Sequence, residues 1–293
     1  MNAALKIAVG SVVVGILVLC LKLLAWYMTG SIALLSDALE STVNVATALA
    51  AVAAINIASR PADRNHPFGH HKAEFFSAVL EGVMIIIAAL LILHEAYKGF
   101  VAPRVLDAPL HGLMVNAMAS VINAGWCWRL ITQGRALRSP ALVADGHHLL
   151  SDVISSIGVV LGVLLAIATG WSQLDPALAA VVALNILWSG WQVMKESLSG
   201  LMDEAVPEDV FRSIRETIAT EADGALEVHD LRTRHAGRAT FIEFHLVVPG
   251  TMTVNESHAI CDRIEAALRK NVEDCRITIH VEPENKAKQS GIP

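Results

Sequence analysis

Six long runs of apolar residues, separated by short polar connections, occupy the first two thirds of the chain. A helix that crosses a membrane needs about 20 consecutive apolar residues. The runs cover residues 5–28, 31–57, 75–97, 108–133, 141–169 and 174–195, so each is long enough. The pattern predicts an α-helical membrane protein with six transmembrane helices.

The pattern changes after residue 202, where charged residues become frequent and apolar residues alternate with polar ones. Pro207 opens an amphipathic helix that extends to about Glu221, since proline is favoured in a first helical turn. Thr253 and Glu256 form a capping-box pair that begins a second helix, ending near Lys270. Alternation predicts strands over 228–235, 240–248 and 276–282. The order α-β-β-α-β predicts a small water-soluble α+β domain.

Three parts follow from this change of composition. Residues 1–202 form the six-helix membrane domain, residues 203–285 form the soluble domain, and residues 286–293 are expected to be a frayed tail. The membrane orientation follows from the distribution of lysine and arginine. The connection after the second run contains Arg60, Arg64 and Lys72, and the end of the fourth run with the connection after it contains Arg129, Arg135 and Arg138. The positive-inside rule therefore predicts that both termini and the soluble domain are cytoplasmic.

Composition agrees with a membrane protein. Of 293 residues, 54% are hydrophobic and 17% are charged, and the mean hydropathy is +0.51, which is too apolar for a soluble globule of this size. The net charge of −6 gives no basic surface for nucleic acid. The four cysteines have no paired spacing, so neither a disulfide framework nor a cysteine zinc site is predicted.

Two of the apolar runs carry the same polar pattern, with spacings of three and four residues: Asp37, Glu40 and Asn44, then Asp145, His148 and Asp152. The helix period places each set on one helix face. If the two helices pack side by side, Glu40, Asn44, His148 and Asp152 offer four mixed nitrogen and oxygen donors, which suits tetrahedral Zn²⁺ and tolerates Fe²⁺, Co²⁺ or Cd²⁺. The alternative is hydrogen bonding between helices, but two carboxylates and a histidine exceed what helix packing requires.

A second group of donors lies in the polar connection after the second run. Asp63, His66 and His70 follow one another at spacings of three and four residues and could hold one metal ion with an open position. A histidine-rich loop that is simply solvated is the alternative.

The soluble domain contains a third group. His280 and Glu282 lie two residues apart on one face of a predicted strand, and His245 lies within another strand. His229 and His258 could join them. Ordinary surface histidines are the alternative, because a lone histidine on a surface usually has no ligand.

Several of these segments resemble the cation diffusion facilitator family, and most closely its bacterial zinc and iron efflux branch. They are residues 31–38 (SIALLSDA), residues 65–74 (NHPFGHHKAE), the pair His148 and Asp152, and residues 229–234 (HDLRTR). The order of the whole chain, six spans and then a cytoplasmic domain, is also similar to that family.

The resemblance implies a homodimer of the cell inner membrane that exports divalent metal in exchange for protons and is not an enzyme. It also implies a metallochaperone-like cytoplasmic domain, with Zn²⁺ as substrate and as structural ion. Carried over residue by residue, it assigns three sets of metal ligands: Glu40, Asn44, His148 and Asp152 for transport, Asp63, His66 and His70 in the loop, and His229, His245, His258, His280 and Glu282 in the cytoplasmic domain.

One departure from the family concerns the second helix. The family usually has Asp or His where this chain has Glu40, and Asp where it has Asn44. The site then contains two carboxylates rather than three, which weakens its attraction for a cation and shifts its metal preference. A non-transporting or regulatory metal-binding membrane protein with an altered site is therefore the alternative function. A membrane metalloenzyme is a further class, but the sequence lacks an H-E-x-x-H helix.

Overall fold

The computed structural model describes residues 3–29, 32–101, 110–171 and 173–288. Six long helices form its first part: α1 (Ala3–Thr29), α2 (Ile32–Ala58), α3 (Ala73–Val101), α4 (Leu110–Ala136), α5 (Pro140–Thr169) and α6 (Leu174–Leu201). Some side chains within these helices lie outside the description, among them those of residues 32–37, 39 and 40. The chain divides into two compact units, residues 1–198 and 199–293.

All six helices are long enough to cross a membrane. In four of them the described residues are also apolar enough: Ala3–Tyr27, Ser41–Ala58, Ala73–Val101 and Pro176–Leu201. Four of the six predicted spans therefore meet both criteria, length and apolar composition. Helix α4 carries Asn123 and Arg129, and such polar residues lower its hydropathy. In α5 the side chains of residues 159, 160, 162–164 and 166–168 lie outside the description, so its span stays a prediction from the sequence.

Helices α1, α2, α4 and α5 form one group. Helix α1 packs against α2 and α4, and α4 packs against α5. Small residues allow the close approach, as is usual between membrane helices. A Cβ added at Gly146 of α5, for example, would lie 3.1 Å from the backbone nitrogen of Ile131 in α4. The buried residues between these helices include Ala4, Ala8, Ala51, Ile55, Leu130 and Leu142.

Helices α3 and α6 form a second close pair. A Cβ added at Gly82 of α3 would lie 2.9 Å from the backbone nitrogen of Met194 in α6, and one at Gly190 would lie 2.8 Å from the Ile85 side chain. Helix α3 also packs against α2 and α5. It therefore joins the α3 and α6 pair to the group of four helices.

The second unit has the predicted order α-β-β-α-β. Its elements are α7 (Glu208–Glu221), β1 (Glu227–Ala236), β2 (Ala239–Val248), α8 (Val254–Asn271) and β3 (Cys275–Pro283), followed by a short 3-10 turn. Strand β2 is central, antiparallel to β1 and parallel to β3. The hydrophobic core of this second unit contains Ile214 and Ile218 of α7, Phe244 and Leu246 of β2, and Ile264 and Leu268 of α8. The fold class predicted for this domain is confirmed.

Two further sequence predictions concern the start of α8 and the end of the chain. The capping box of Thr253 and Glu256 is present at the start of α8. The frayed tail over 286–293 stays a prediction. At its start, the backbone N–H of Lys288 donates to Glu227 (2.9 Å) and its Nζ donates to Asp230 (2.6 Å). Both acceptors are carboxylates of β1. Residues 289–293 lie outside the described part of the chain.

Candidate metal sites

Asn44 of α2 and Asp152 of α5 meet inside the helix bundle. Nδ2 of Asn44 donates a hydrogen bond to Oδ2 of Asp152 at a distance of 2.5 Å, and both side chains are buried. Oδ1 of Asn44 is also buried and accepts no hydrogen bond within the described structure. The predicted proximity of the two helices thus exists at these two residues. The side chain of Glu40, the fourth predicted donor, lies outside the described residues.

His148 of α5 contacts a residue that was absent from the predicted set. Its Nδ1 lies 2.6 Å from Oε2 of Glu81 in α3, with the two residues only 3% and 0% exposed. Sequence reasoning missed Glu81 because it has no partner at a matching spacing. The available signal was an acidic residue in the middle of a membrane-length apolar run, which is costly and therefore usually functional.

The polar face of α5 contacts three different helices. Asp145 accepts a hydrogen bond from the Ser11 hydroxyl of α1 at 2.6 Å, His148 contacts α3, and Asp152 contacts α2. All three α5 side chains are buried. Helix α5 therefore joins the helices around it through polar contacts at successive turns.

The loop after α2 brings Asp63, His66 and His70 together, as predicted. One ligand atom from each lies within 4.8 Å of the others. Asp63 is 3.2 Å from Nδ1 of His66 and 3.4 Å from Nε2 of His70. Two imidazoles and a carboxylate at these distances are the donors that Zn²⁺ prefers.

Asp63 also shapes this loop. Its Oδ1 accepts hydrogen bonds from the backbone N–H groups of His66 (2.7 Å) and Asn65 (2.9 Å). These bonds, that of His66 foremost, hold the pKa of Asp63 below its usual value. Gly69 has a φ of +88°, which a side chain would strain. The loop is therefore built around the carboxylate, with Oδ2 turned towards His70.

In the second unit, three histidines form a row across the sheet. His229 of β1 pairs with His245 of β2, which pairs with His280 of β3. Their ring centroids are 5.1 and 4.9 Å apart. Residues at paired positions of neighbouring strands lie on the same face, so the register of the strands brings together histidines that are far apart in sequence.

Glu282 lies against all three histidines. Its Oε2 is 3.3 Å from Nε2 of His229, and its Oε1 is 3.4 Å from Nδ1 of His245 and 3.6 Å from Nε2 of His280. The side chains become more exposed along the row, from 4% at His229 to 34% at His245 and 65% at His280. One carboxylate among three imidazoles, open at one end, can hold metal ions that arrive from solution.

Two further residues, Asp230 and His258, relate to this group in different ways. Asp230 was not predicted, yet it forms a group with His229 and His245 whose ligand atoms lie within 4.8 Å of one another. Its contact with Lys288 lowers the pKa of its carboxyl. His258 is exposed on α8, with Nε2 3.7 Å from Asp262, and it belongs to neither group of three found among the described residues. Its role as a ligand stays a prediction.

Comparison with known proteins gives matches over nearly the whole chain. Residues 8–202 match the family model for the cation efflux transmembrane domain, and residues 206–284 match that for the cation efflux protein, cytoplasmic domain. The chain is 44% identical over 263 residues to the "Uncharacterized transporter sll1263" of Synechocystis sp., covering 90% of this chain and 85% of that protein. It is 31% identical over 276 residues to the cation-efflux pump FieF of Shewanella oneidensis, covering 93% and 92%.

A solved structure, the metal-bound C-terminal domain of the CzcD transporter from Thermotoga maritima, is 28% identical and covers 27% of this chain and 93% of that chain, with a TM-score of 0.25.

Proposed function

Because this chain belongs to the cation efflux family, we propose that it exports divalent metal cations from the cytoplasm in exchange for protons. Zn²⁺ is the first candidate substrate, and Fe²⁺, Cd²⁺ and Co²⁺ are further candidates. The observation that carries this proposal is the burial of Asn44, His148 and Asp152 within helices of spanning length. Polar and ionisable groups at such positions are expensive, and they are retained where they line an ion pathway.

The donor set supports a metal rather than an organic substrate. His148 and Asp152 offer an imidazole nitrogen and a carboxylate oxygen, which are common zinc ligands, and Glu40 adds a second carboxylate in the sequence. Asn44 donates its N–H to Asp152. The amide atom that can bind a cation is Oδ1, which accepts no hydrogen bond within the described structure, because only the oxygen has a free lone pair.

Proton exchange follows from the same donors. A metal ion binds a deprotonated carboxylate and an unprotonated imidazole nitrogen, so metal binding releases protons and protonation releases metal. Exposure of the site alternately to the two sides of the membrane would then exchange cytoplasmic metal for external protons. Helices α1, α2, α4 and α5 would move against α3 and α6.

The other two groups of donors are proposed as further metal sites. Asp63, His66 and His70 lie in an exposed loop that would meet metal ions on the cytoplasmic side, and His229, His245, His280 and Glu282 would bind structural or regulatory Zn²⁺. We further propose a homodimer in the inner membrane, with both termini in the cytoplasm, which agrees with the lysine and arginine distribution.

The direct test is metal flux into proteoliposomes with a pH gradient. Wild-type protein should accumulate Zn²⁺ and move protons in the opposite direction, and His148→Ala or Asp152→Ala should abolish both fluxes. The control is His147→Ala, which removes the neighbouring imidazole of the same helix. Wild-type rates in both site variants would contradict the assignment of α5, and metal flux without proton movement would contradict antiport.

A second candidate function is metal sensing without transport. It is favoured by Asn44, whose amide removes one charge from the site and occupies an oxygen of Asp152. Metal binding by the purified protein, together with no flux into the same vesicles, would support this function over export.

A further inference from the structure

Helix α3 carries two buried glutamates two turns apart, and both contact α5. Glu74 accepts a hydrogen bond from the Ser139 hydroxyl at the start of α5, and Glu81 contacts Nδ1 of His148 at 2.6 Å. Their exposed fractions are 3% and 0%. The ligand set proposed for transport contains neither residue, although one of them touches a proposed ligand directly.

The contact between Glu81 and His148 determines which imidazole nitrogen can bind a metal. When Glu81 is ionised it can only accept, and Nδ1 of His148 then carries the proton in this hydrogen bond. In the neutral imidazole the other nitrogen, Nε2, is then unprotonated and available as a ligand. Carboxylates that hold a metal-binding histidine in this way fix the tautomer and the ring orientation, and they make the ligating nitrogen more basic.

The environment of Glu81 indicates a role beyond one hydrogen bond. The residue is fully buried, and its second oxygen, Oε1, has no hydrogen bond within the described structure. A buried carboxylate is costly unless charge and hydrogen bonds compensate it. A cation bound by His148 would provide such compensation, and Glu81 would in turn supply negative charge that Asn44 does not.

We propose that Glu81 is the positioning residue of the transport site: it holds His148 with Nε2 towards the metal and strengthens that ligand through its charge. This inference rests on the proposed transport function and adds a residue of α3 to it. The contact also links the two helix groups, because His148 belongs to α5 and Glu81 belongs to the α3 and α6 pair.

The test is the KM and kcat of Zn²⁺ flux in proteoliposomes for three substitutions of Glu81. Loss of such a supporting carboxylate typically weakens metal binding by about 10 to 100-fold. Glu81→Ala, which removes both the hydrogen bond and the charge, should raise KM most. Glu81→Gln keeps an acceptor without the charge and should raise it less, and Glu81→Asp, which keeps the carboxylate, should recover part of the wild-type KM.

Glu74→Gln is the matched control, since it removes a buried carboxylate from the same helix but leaves an acceptor for Ser139. It should leave KM unchanged. KM does not depend on how much active protein each preparation contains, so partial loss of folded protein does not affect the comparison.

Three results would overturn the proposal: a wild-type KM in Glu81→Ala and Glu81→Gln, equal effects at Glu74 and Glu81, or a fall in kcat at constant KM. These differ from failure of the transport function itself, in which the wild-type protein would show no flux.

Discussion

The amide of Asn44 donates its N–H to the carboxylate of Asp152 across the contact between α2 and α5. The hydrogen bond ties two helices that would have to expose the same site to each side of the membrane. Because Asn44 is an amide, it brings no charge to the α2 half of the site, whereas a carboxylate at this position would bring a negative charge. A single substitution at position 44 can therefore change the charge of the site.

Asn44→Asp is expected to tighten Zn²⁺ binding and to make it more dependent on pH. The new carboxylate attracts the cation more strongly than an amide oxygen, and it must be deprotonated to bind. The KM of Zn²⁺ flux, measured at several pH values, reports both effects. Asn123→Asp, at a buried asparagine of α4, is the control. If the affinity is unchanged or lower in Asn44→Asp, then Asn44 is not a ligand, and Asp37 on the same helix face should be tested next.

The histidine row should make the stability of the cytoplasmic domain depend on metal. A ligand that binds only the folded state stabilises it by RT ln(1 + [L]/Kd), about 2.7 kcal/mol at a hundredfold excess over Kd. Thermal unfolding of residues 203–293 should therefore shift upwards with Zn²⁺. The combined change His245→Ala, His280→Ala and Glu282→Ala should remove this shift.

His258→Ala is the comparison for that experiment, because the side chain lies on α8 and outside the groups of described ligand atoms. Its shift with Zn²⁺ should remain that of the wild-type domain. An equal shift in the triple variant would mean that His245, His280 and Glu282 do not bind the metal.

Substitutions of Asp63 should separate the shape of the loop from its charge. Asp63→Asn replaces the carboxylate by an amide, which can still accept the backbone hydrogen bonds of a turn but brings no charge to the metal. This variant should bind metal more weakly and keep the loop ordered, whereas Asp63→Ala should lose both properties. Proteolysis of the loop with and without Zn²⁺ measures order and binding together. Equal protection of all three proteins by Zn²⁺ would exclude Asp63 as a ligand.

The capping box gives a prediction for pH. The hydrogen bond from the backbone N–H of Thr253 holds the pKa of the Glu256 carboxyl below its ordinary value in the folded domain. A carboxyl with a lower pKa in the folded state stabilises the fold above its unfolded value, about 4.3, and this contribution is lost as the pH falls through the folded value. Glu256→Gln should therefore have a lower Tm than wild type at pH 7, and the difference should shrink as the pH falls below the unfolded value. Glu273→Gln, outside the cap, should show no such convergence.

Local sequence signals were sufficient for the elements of the soluble domain. Alternation predicted β2 over 240–248, against Ala239–Val248 in the structure, and the capping box marked the start of α8. Such signals depend on residues close in sequence, so they can be recognised without the fold. The same holds for the loop, where Asp63, His66 and His70 lie within one short stretch of chain.

Contacts between distant elements could not be predicted in this way. The helix period places Asp145, His148 and Asp152 on one face of α5, but it does not specify that they contact three different helices. The pairing of Glu81 with His148 depends on how α3 packs against α5. Glu81 is not part of a repeated spacing in the sequence, so no sequence pattern indicates this contact. His258 was grouped with the other histidines first as a further histidine of the domain and then by resemblance. The predicted helix from Thr253 to Lys270 already placed it off the sheet, but whether that helix brings it near the histidine row depends on how the domain packs.

The contact of Lys288 with Asp230 of β1 has a practical consequence for purification. Five residues follow Lys288 up to and including Pro293, and an extended chain spans at most about 3.6 Å per residue. A polyhistidine tag fused after Pro293 would begin within about 18 Å of Lys288, whose partner Asp230 groups with His229 and His245. The imidazoles of the tag would then compete for the same ions, and a titration of such a fusion would report the tag as well as the domain.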